Sequence, residues 1–372
     1  MEKRGLIVDI SGLGRKYHAI NTGETAVISM NGQLVKVDTK IQSGIIKSIH
    51  RWSKFGYFPT VVCGDRSVPS RRQYFKQTFE NDPNVECEYK KSRGGSVGSE
   101  YFDAINMTMG ILAKGGVKCI KGDNYEADDL IFASVQALKQ QYPGMPIDIV
   151  TNDSDMIPLV DEQVSVFYQS KKGTYAINKE IEKTKYIQLT PDNYQGVVED
   201  LSAFSKFSLP YNTVLLHKLL RGDKSDEFKN KVVSRMFPAT KFNALIEEMY
   251  WDGVDLGNVF RYGINERVIT VRNTGQRISY SEVANYDKKD LRVDYIPPKE
   301  LGTMMDVLSH YIKDAYVLDY VQKAYIGMNL NQPYTDVGDV SRHSVSISSP
   351  IEGYSATQLK NAADDLKIRL PY

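Results

Sequence analysis

The chain has 372 residues, of which 41% are hydrophobic and 25% charged, values typical of a soluble globular protein with more than one domain. The 47 basic and 46 acidic residues nearly cancel, which argues against a generally basic nucleic-acid coat and leaves room for a local basic surface. No segment approaches the ~20 apolar residues of a membrane span, and the first apolar run is too short for a signal peptide.

The cysteines point to a reducing compartment. There are three of them, Cys63, Cys87 and Cys119, and none lies in a CxxC pair. An odd, sparse set predicts reduced thiols rather than a disulfide framework or a zinc site. The expected location is the cytoplasm, which is that of a bacterial host if the chain comes from a phage. The five histidines show no ligand or triad spacing, and no phosphate-binding GxxxxGK[ST] motif occurs, so ATP use is not expected.

Apolar runs and turn signals predict strands alternating with helices over the first 170 residues. Asn31-Gly32 between two alternating apolar segments indicates a hairpin. The predicted elements are, in chain order, a strand at 6–8 with a turn at 11–14, a hairpin at 24–38, a helix at 40–54, a strand at 60–63, a helix at 99–114, a strand at 117–120, a helix at 126–140, and strands at 147–150 and 164–168.

Residues 66–98 differ in character from the elements on either side. Their basic residues outnumber the acidic ones by seven to four, and a glycine-rich stretch follows at 94–98. This composition predicts a mobile basic excursion, for which an ordinary solvated loop is the alternative.

The carboxyl-terminal third is less regular. A helix at 211–220 runs into Gly222-Asp223, and helical pieces at about 240–250 and 300–326 flank a predicted hairpin at 267–282. Residues 341–355 hold six serines and one proline and predict a linker. A short helix ending near Arg369 follows, because Ser355-Ala356-Thr357-Gln358 matches a capping box.

Strands alternating with helices at this spacing predict an α/β fold with a mostly parallel sheet. Functional side chains in such sheets gather at the carboxyl ends of the strands. Asp9, Asp65 and Asp153 each come just after a predicted strand, so we expect them at one edge of the sheet.

Nine carboxylates fall at predicted strand ends, helix starts or loops. They form five clusters: Asp9; Asp65; Glu126, Asp128 and Asp129; Asp153 and Asp155; Asp223 and Asp226. So many acids cannot ionise side by side without positive charge between them. Mg²⁺ and Mn²⁺ prefer such hard oxygen ligands, and a pair of these ions about 3.5–4 Å apart can promote phosphodiester hydrolysis.

Each cluster taken alone has a structural alternative. An aspartate after a strand is commonly a turn residue or a helix cap, and acids at the start of a helix complement its dipole. The convergence of all the clusters on one predicted sheet edge favours metal binding.

The motifs together resemble those of the 5′ nuclease family, which includes bacteriophage 5′-3′ exonucleases, the 5′ nuclease domain of bacterial DNA polymerase I and flap endonucleases. The resemblance covers about residues 5–230. The matching segments are Val8-Asp9, Cys63-Gly64-Asp65, the Tyr89-Lys90-x-x-Arg93 signature, Tyr125-Glu126-Ala127-Asp128-Asp129-Leu130, Thr151-Asn152-Asp153-Ser154-Asp155 and Gly222-Asp223-Lys224-Ser225-Asp226.

The resemblance implies a PIN-like α/β domain at 1–230 with a helical arch, a divergent and mainly helical DNA-binding region at 231–340, and a linker and tail at 341–372. It also implies two Mg²⁺ ions, for which Mn²⁺ can substitute. Asp9, Asp65, Glu126, Asp128 and Asp129 would surround the first ion with Asp153 close by, and Asp155, Asp223 and Asp226 would serve the second. Lys90 and Arg93 would face the scissile phosphate, and Tyr89 would stack on the terminal base.

The chain departs from the family pattern after Asp226. The helix-hairpin-helix that usually grips duplex backbone is absent from the sequence there, which reads Glu227-Phe228-Lys229-Asn230-Lys231-Val232-Val233. A remodelled duplex grip is therefore expected, in which Lys229, Lys231 and Arg235 can contact phosphates.

The resemblance implies a metal-dependent 5′-3′ exonuclease or flap endonuclease of DNA replication or repair. Its expected substrates are DNA with 5′ ends or flaps and RNA–DNA hybrids, and the expected state is a monomer. Two alternatives stay open: a PIN-type ribonuclease acting on single-stranded RNA, and a catalytically silent, structure-specific DNA-binding protein. The tail after residue 341 is either a disordered terminus or a segment that binds a sliding clamp or a single-strand binding protein.

Overall fold

A computed structural model describes most of the chain. The described residues are 4–18, 25–30, 33–53, 57–65, 70–87, 99–122, 125–169, 186–189, 213–223, 227–260, 266–278, 282, 285–296, 299–330 and 356–364. The chain divides into two compact units that are interleaved in sequence. The first unit takes residues 1–66, 95–200 and 337–372, and the second takes 67–94 and 201–336.

The first unit is built on a six-stranded sheet. Its strands, numbered in chain order, are β1 (Arg4–Asp9), β4 (Tyr57–Gly64), β6 (Lys118–Lys121), β7 (Ile147–Thr151), β8 (Val164–Gln169) and β9 (Tyr186–Leu189). Their spatial order is β6-β4-β1-β7-β8-β9, and every neighbouring pair is parallel except β8 and β9. A separate hairpin pairs β2 (Thr25–Met30) with β3 (Gln33–Asp38).

Helices cover this sheet. They are α1 (Ile10–His18), α2 (Lys40–Ser53), α4 (Ser99–Lys114), α5 (Ala127–Gln141) and α12 (Ala356–Asp364). Leu6 and Val8 of β1 share one apolar core with residues of α1, α2, α4 and α12, while α5 packs against β1 and β4. The strands are continuous apolar runs because parallel sheets are covered by helices.

The second unit is mainly helical. It contains α3 (Ser70–Phe79), α6 (Val214–Arg221), α7 (Lys231–Met236), α8 (Ala239–Trp251), α9 (Leu256–Val259), α10 (Lys299–Tyr311) and α11 (Ala315–Met328). Short strands β5 (Val85–Cys87) and β10 (Phe228–Asn230) pair antiparallel, and β11 (Glu266–Val271), β12 (Arg277–Ile278) and β13 (Leu291–Ile296) form a small sheet. Its core gathers Phe75, Phe228 and Tyr320 around one aromatic cluster.

Most predicted elements are confirmed, with three exceptions. The turn predicted at 11–14 is wrong, because these residues lie inside α1. The excursion predicted at 66–98 contains α3 and β5, and its residues 88–98 lie outside the described part, so the arch stays a prediction. The single helical piece predicted at 300–326 is two helices, α10 and α11.

The interleaved units do not coincide with the predicted segments 1–230, 231–340 and 341–372. The physical reason is that α3 and β5 belong to the core of the second unit: β5 pairs with β10, and Phe75 packs on Phe228. The functional division into three segments stays a prediction. The tail at 341–355 lies outside the described residues, whereas 356–364 form α12.

Candidate metal centre

Three carboxylates mark the carboxyl ends of adjacent central strands. Asp9 is the last residue of β1, Asp65 follows β4, and Asp153 comes two residues after β7. Because β1 lies between β4 and β7 and runs parallel to both, all three strand ends meet at one edge of the sheet. From β1 the chain continues through β4 to β6 on one side of the sheet and through β7 to β8 on the other. Open α/β sheets bind their ligands at such a point, where the strand order changes direction.

Asp9 is buried and held from two sides. Its Oδ1 accepts a hydrogen bond from the Gly12 amide at 3.0 Å, and its Oδ2 accepts one from the Thr151 hydroxyl at 3.2 Å. Burial, together with the charges of Asp65 and Asp153, raises the pKa of Asp9 to about 6. The two hydrogen bonds act in the opposite direction but do not offset the burial. This carboxylate therefore occupies an environment that favours a nearby cation.

A group of potential metal ligands lies at the same edge. Asp128, Asp153 and Asp155 each offer a carboxylate oxygen, and these three oxygens lie within 4.8 Å of one another. Asp128 and Asp155 are buried and Asp153 is half-buried. Three carboxylates this close repel one another unless a cation or protons lie between them.

Local hydrogen bonds orient this group. Asp153 caps a short 3-10 helix (Ser154–Leu159), and its Oδ1 accepts from the Asp155 amide at 3.0 Å. The Asp153 amide in turn donates to the Thr151 hydroxyl at 2.9 Å. Thr151 thus connects the end of β7 to both Asp9 and Asp153.

The start of α5 supplies the other acids. Asp65 Oδ1 accepts a hydrogen bond from the Ala127 amide at 2.8 Å, which joins the end of β4 to this helix. Asp129 Oδ2 accepts one from the Glu126 amide at 3.1 Å. Glu126, Asp128 and Asp129 are all buried at the helix amino terminus, where the helix dipole stabilises negative charge.

Seven of the predicted ligands lie in the first unit. They are Asp9, Asp65, Glu126, Asp128, Asp129, Asp153 and Asp155. Asp129 also serves to close the first turn of α5, and Asp65 to anchor that helix. Whether each of the seven contacts a metal stays a prediction.

The remaining predicted site residues are placed differently. Asp223 lies in the second unit, where its Oδ2 is 2.5 Å from Lys218 Nζ and both side chains are buried. Asp226, Tyr89, Lys90 and Arg93 lie outside the described residues. Their assigned roles stay predictions.

Sequence reasoning gave no role to the residues that orient the acids. Gly12 and Thr151 hold Asp9, and the Tyr101 hydroxyl donates to the Ser11 carbonyl at 2.7 Å beside them. Burial of Tyr101, with the charges of Asp9 and Asp65, raises the pKa of its phenol. Gly12 and Thr151 stood inside recognised motifs, but nothing in the sequence linked Tyr101 to Asp9, 92 positions away.

The cysteine nearest the acidic centre is Cys63, at the end of β4. Cys63 and Cys119 are buried thiols outside any disulfide. Burial raises the pKa of Cys63 to about 12, because the thiol loses water and faces Asp9 and Asp128. A protonated thiol is a poor nucleophile and a poor metal ligand.

Fold and site together define a PIN-like α/β domain with an acidic centre at its sheet edge. Residues 4–187 match the family described as 5′-3′ exonuclease, N-terminal resolvase-like domain. The chain is 35% identical over 111 residues to a 5′-3′ exonuclease of Buchnera aphidicola, an alignment that covers 30% of this chain and 36% of that protein. It is 33% identical over 139 residues to DNA polymerase I of Mycobacterium tuberculosis, covering 37% of this chain and 13% of the polymerase.

Two solved structures are similar at lower sequence identity. The zinc-bound 5′-exonuclease of bacteriophage T5 gives a TM-score of 0.46 at 14% identity, covering 98% of this chain and 100% of that one. Flap endonuclease-1 from Methanococcus jannaschii gives a TM-score of 0.37 at 12% identity, covering 88% and 93%.

Residues 4–187 belong to the 5′ nuclease family, as the family match and the sequence relatives show. The chain spans 36% of the length of the Buchnera relative and 13% of the polymerase. Across the part of the chain that the structure describes, no helix has the length and apolar character needed to cross a membrane.

Proposed function

We propose that this chain is a metal-dependent 5′ nuclease that hydrolyses phosphodiesters at 5′ ends or flaps of DNA, or of RNA paired to DNA. The main observation that supports the proposal is that carboxylate oxygens of Asp128, Asp153 and Asp155 lie within 4.8 Å of one another. They do so at the edge where Asp9 ends the central strand, in a domain of the 5′ nuclease family.

The donor set fits a hard divalent cation. All its members are carboxylates, which are the ligands of Mg²⁺ and Mn²⁺ rather than of softer metals. The raised pKa of Asp9 supports this choice, because burial and the charges of Asp65 and Asp153 disfavour its ionised form. We propose two Mg²⁺ ions, replaceable by Mn²⁺, with Asp155, Asp223 and Asp226 serving the second. When bound, such ions make water a better nucleophile at neutral pH and offset the charge of the phosphodiester.

The chain's own residues fix the geometry in which this chemistry takes place. Thr151 and the Gly12 amide hold Asp9 in one orientation, and the Ala127 amide holds Asp65. Hydrogen bonds of this kind keep ligands in place before the substrate arrives and thereby reduce the cost of reorganisation. The site is therefore organised by short-range contacts at the ends of β1, β4 and β7.

We propose that the basic excursion at 66–98 binds the substrate. Lys90 and Arg93 are proposed to contact the scissile phosphate, and Tyr89 to stack on the terminal base. A guanidinium and an ammonium beside an aromatic ring suit a phosphate next to an unpaired base. The expected products carry a 5′-phosphate and a 3′-hydroxyl. The proposed setting is primer removal or repair in the cytoplasm, with the protein acting as a monomer.

The first experiment measures cleavage of a 5′-flap duplex with Mg²⁺ and with chelator. Asp128→Asn and Asp153→Asn should each lower the rate by more than about a hundredfold, since each removes a charged ligand. Glu162→Gln is the matched control, because Glu162 is an exposed acid of the same unit. Wild-type rates in both aspartate variants, or cleavage that persists in chelator, would contradict the proposal.

A parallel digestion distinguishes the proposed activity from the two alternative functions. A flap duplex, an RNA–DNA hybrid and a single-stranded RNA are cleaved under the same conditions. Faster cleavage of the flap or the hybrid is expected. A preference for single-stranded RNA would identify a PIN-type ribonuclease, and tight flap binding without cleavage would identify a silent DNA-binding protein.

A further inference from the structure

An aromatic pair stands on the surface of the second unit, away from any role assigned above. Tyr250 is 64% exposed and Trp251 is 81% exposed, and their rings meet edge to face with centroids 5.7 Å apart at 77°. The other tryptophan, Trp52, is 1% exposed. Large aromatic side chains that stay in contact with solvent commonly mark a binding surface.

The helix that carries the pair does not explain its exposure. Helix α8 buries Phe242, Leu245, Ile246 and Met249, an apolar stripe with helical spacing. Tyr250 follows Ile246 by four residues and would extend this stripe into the core, yet its ring is mostly in water. The last turn of α8 therefore presents exposed apolar area.

Acidic side chains flank the pair along the chain. Glu247, Glu248, Asp252 and Asp255 are all exposed, and the sequence contains no Lys, Arg or His between Lys241 and Arg261. Trp251 follows Glu247 and Glu248 by four and three residues, so it shares a helix face with both.

Tyr311 of the neighbouring helix α10 lies in the same negative potential. The Tyr311 hydroxyl of α10 donates to Asp252 Oδ2 at 2.8 Å. This hydrogen bond, with the charges of Asp252 and Glu248, raises the pKa of the Tyr311 phenol. Acids of α8 and of the turn after it thus act on one patch of surface.

We propose that Tyr250 and Trp251, with Glu247, Glu248 and Asp252, form a docking site for an arginine- or lysine-rich segment of a partner protein. A guanidinium stacks on an indole or phenol ring while its N–H groups pair with carboxylates, so the patch offers both contacts that such a side chain makes. The site uses none of the residues assigned to the acidic centre, and the proposal does not depend on the proposed nuclease activity.

Charge complementarity selects this occupant over a nucleic acid. Four exposed carboxylates repel a phosphate backbone, whose binding requires cations on the protein. The same carboxylates attract a basic segment and raise its rate of association. Ring stacking alone would suit both a basic segment and a nucleic acid, so the carboxylates are the feature that favours the basic segment.

The experiment uses the full chain and a fluorescently labelled peptide of four Arg-Gly repeats. Matched peptides of four Lys-Gly and four Glu-Gly repeats are run beside it, with fluorescence anisotropy as the measurement. Saturable binding is expected in the order arginine, then lysine, with none for glutamate, because arginine adds stacking to charge. Bound peptide should also protect tryptophan fluorescence from acrylamide, a signal that comes from Trp251 because Trp52 is buried.

Two variants separate stacking from charge. Trp251→Ala should weaken arginine-peptide binding by about tenfold and abolish the preference for arginine over lysine. A double variant, Glu247→Gln with Glu248→Gln, should weaken both basic peptides alike. Tyr286→Ala is the control, because Tyr286 is an exposed aromatic of the same unit, and it should change neither affinity. Melting temperatures should match the wild type in all of them, since the altered side chains are exposed.

Three results would overturn the docking site. One is the absence of saturable binding by either basic peptide. Another is unchanged affinity in Trp251→Ala. The third is protection of Trp251 by something else: by a flap duplex, which would make the patch a nucleic-acid surface, or by self-association that Trp251→Ala abolishes, which would make it a contact between two copies.

Discussion

At the scale of single residues, the acidic centre depends on how closely the backbone approaches Asp9. A Cβ atom built on Gly12 would lie 2.6 Å from Asp9 Oδ2, well inside van der Waals contact. The same glycine donates its amide to Asp9 Oδ1. Gly12 is therefore required for the position of a carboxylate rather than for the bending of the chain.

Gly12→Ala should lower cleavage of a 5′-flap duplex by about a hundredfold while the protein stays folded. The added methyl pushes the Asp9 carboxylate away, and a shift of about 1 Å at a catalytic centre costs roughly that factor. The measurement is the single-turnover rate across a Mg²⁺ titration. Gly110→Ala is the control, because its Cβ would meet nothing within 4 Å. Equal rates in Gly12→Ala and Gly110→Ala would show that Asp9 does not need this position.

The sequence predicted the acids of the site better than their supports. Asp9, Asp65 and Asp153 could be placed because each follows an apolar strand, and parallel strands bring their ends together. The contributions of Tyr101 and Thr151 could not be predicted, since they depend on side-chain directions that appear only when α1, α4 and β7 are packed. Asp223 pairs with Lys218 five residues earlier, a contact that helical spacing alone would not reveal.

At the scale of elements, β1, β4, β6, β7 and β8 were predicted to within a few residues because they are unbroken apolar runs, whereas β9 was not predicted. Helix α1 was missed because Ser11-Gly12-Leu13-Gly14 has the composition of a turn. Its second glycine is also fixed by packing, since a Cβ on Gly14 would lie 2.9 Å from the Tyr101 hydroxyl. Helix α3 was not predicted because its sequence is basic and resembles a solvated loop. Its Arg71 is nevertheless buried, and its guanidinium lies 3.5 Å from the Asn329 carbonyl. Such contacts between distant residues leave no periodic pattern.

The carboxyl-terminal helix α12 belongs to the core of the first unit. Leu359 and Ala363 are fully buried in the cluster that also holds residues of α2 and α4. Leu359 lies against Gly115, where an added Cβ would come within 2.9 Å of the Leu359 Cα. Burying a leucine contributes about 2 kcal/mol, so this contact favours a docked α12.

Gly115→Ala should release α12 without unfolding the sheet. The clash involves backbone, so α12 must shift as a whole and lose the burial of Leu359. Hydrogen exchange should show faster amide exchange across 356–364 and unchanged protection in β1 and β7. Gly110→Ala again provides the control, since it changes an exposed position of α4. Unaltered protection of 356–364 in Gly115→Ala would mean that α12 is not held by this contact.

At the scale of the whole molecule, the two units are tied together by the order of the chain. Residues 67–94 leave the first unit, contribute α3 and β5 to the second, and return to the first at residue 95. The second unit then needs residues from beyond 230 to complete its core, because Phe79 and Phe228 both pack on Tyr320. A cut at residue 230 would therefore leave α3 and β10 without the helices that cover them.

A fragment of residues 1–230 should accordingly bind the dye ANS and aggregate, whereas the full chain should not. The reason is that Phe75, Phe79 and Phe228 lose the shelter of α8 and α11, whose buried residues complete the same cluster. A fragment of residues 1–336 is the control: it keeps the second unit whole and exposes only the surface of α2 and α4 that α12 covers, so it should bind less dye than the fragment of residues 1–230. ANS fluorescence and sedimentation velocity measure the difference. A monomeric 1–230 fragment that unfolds cooperatively and leaves the dye dark would show that the first 230 residues can fold alone.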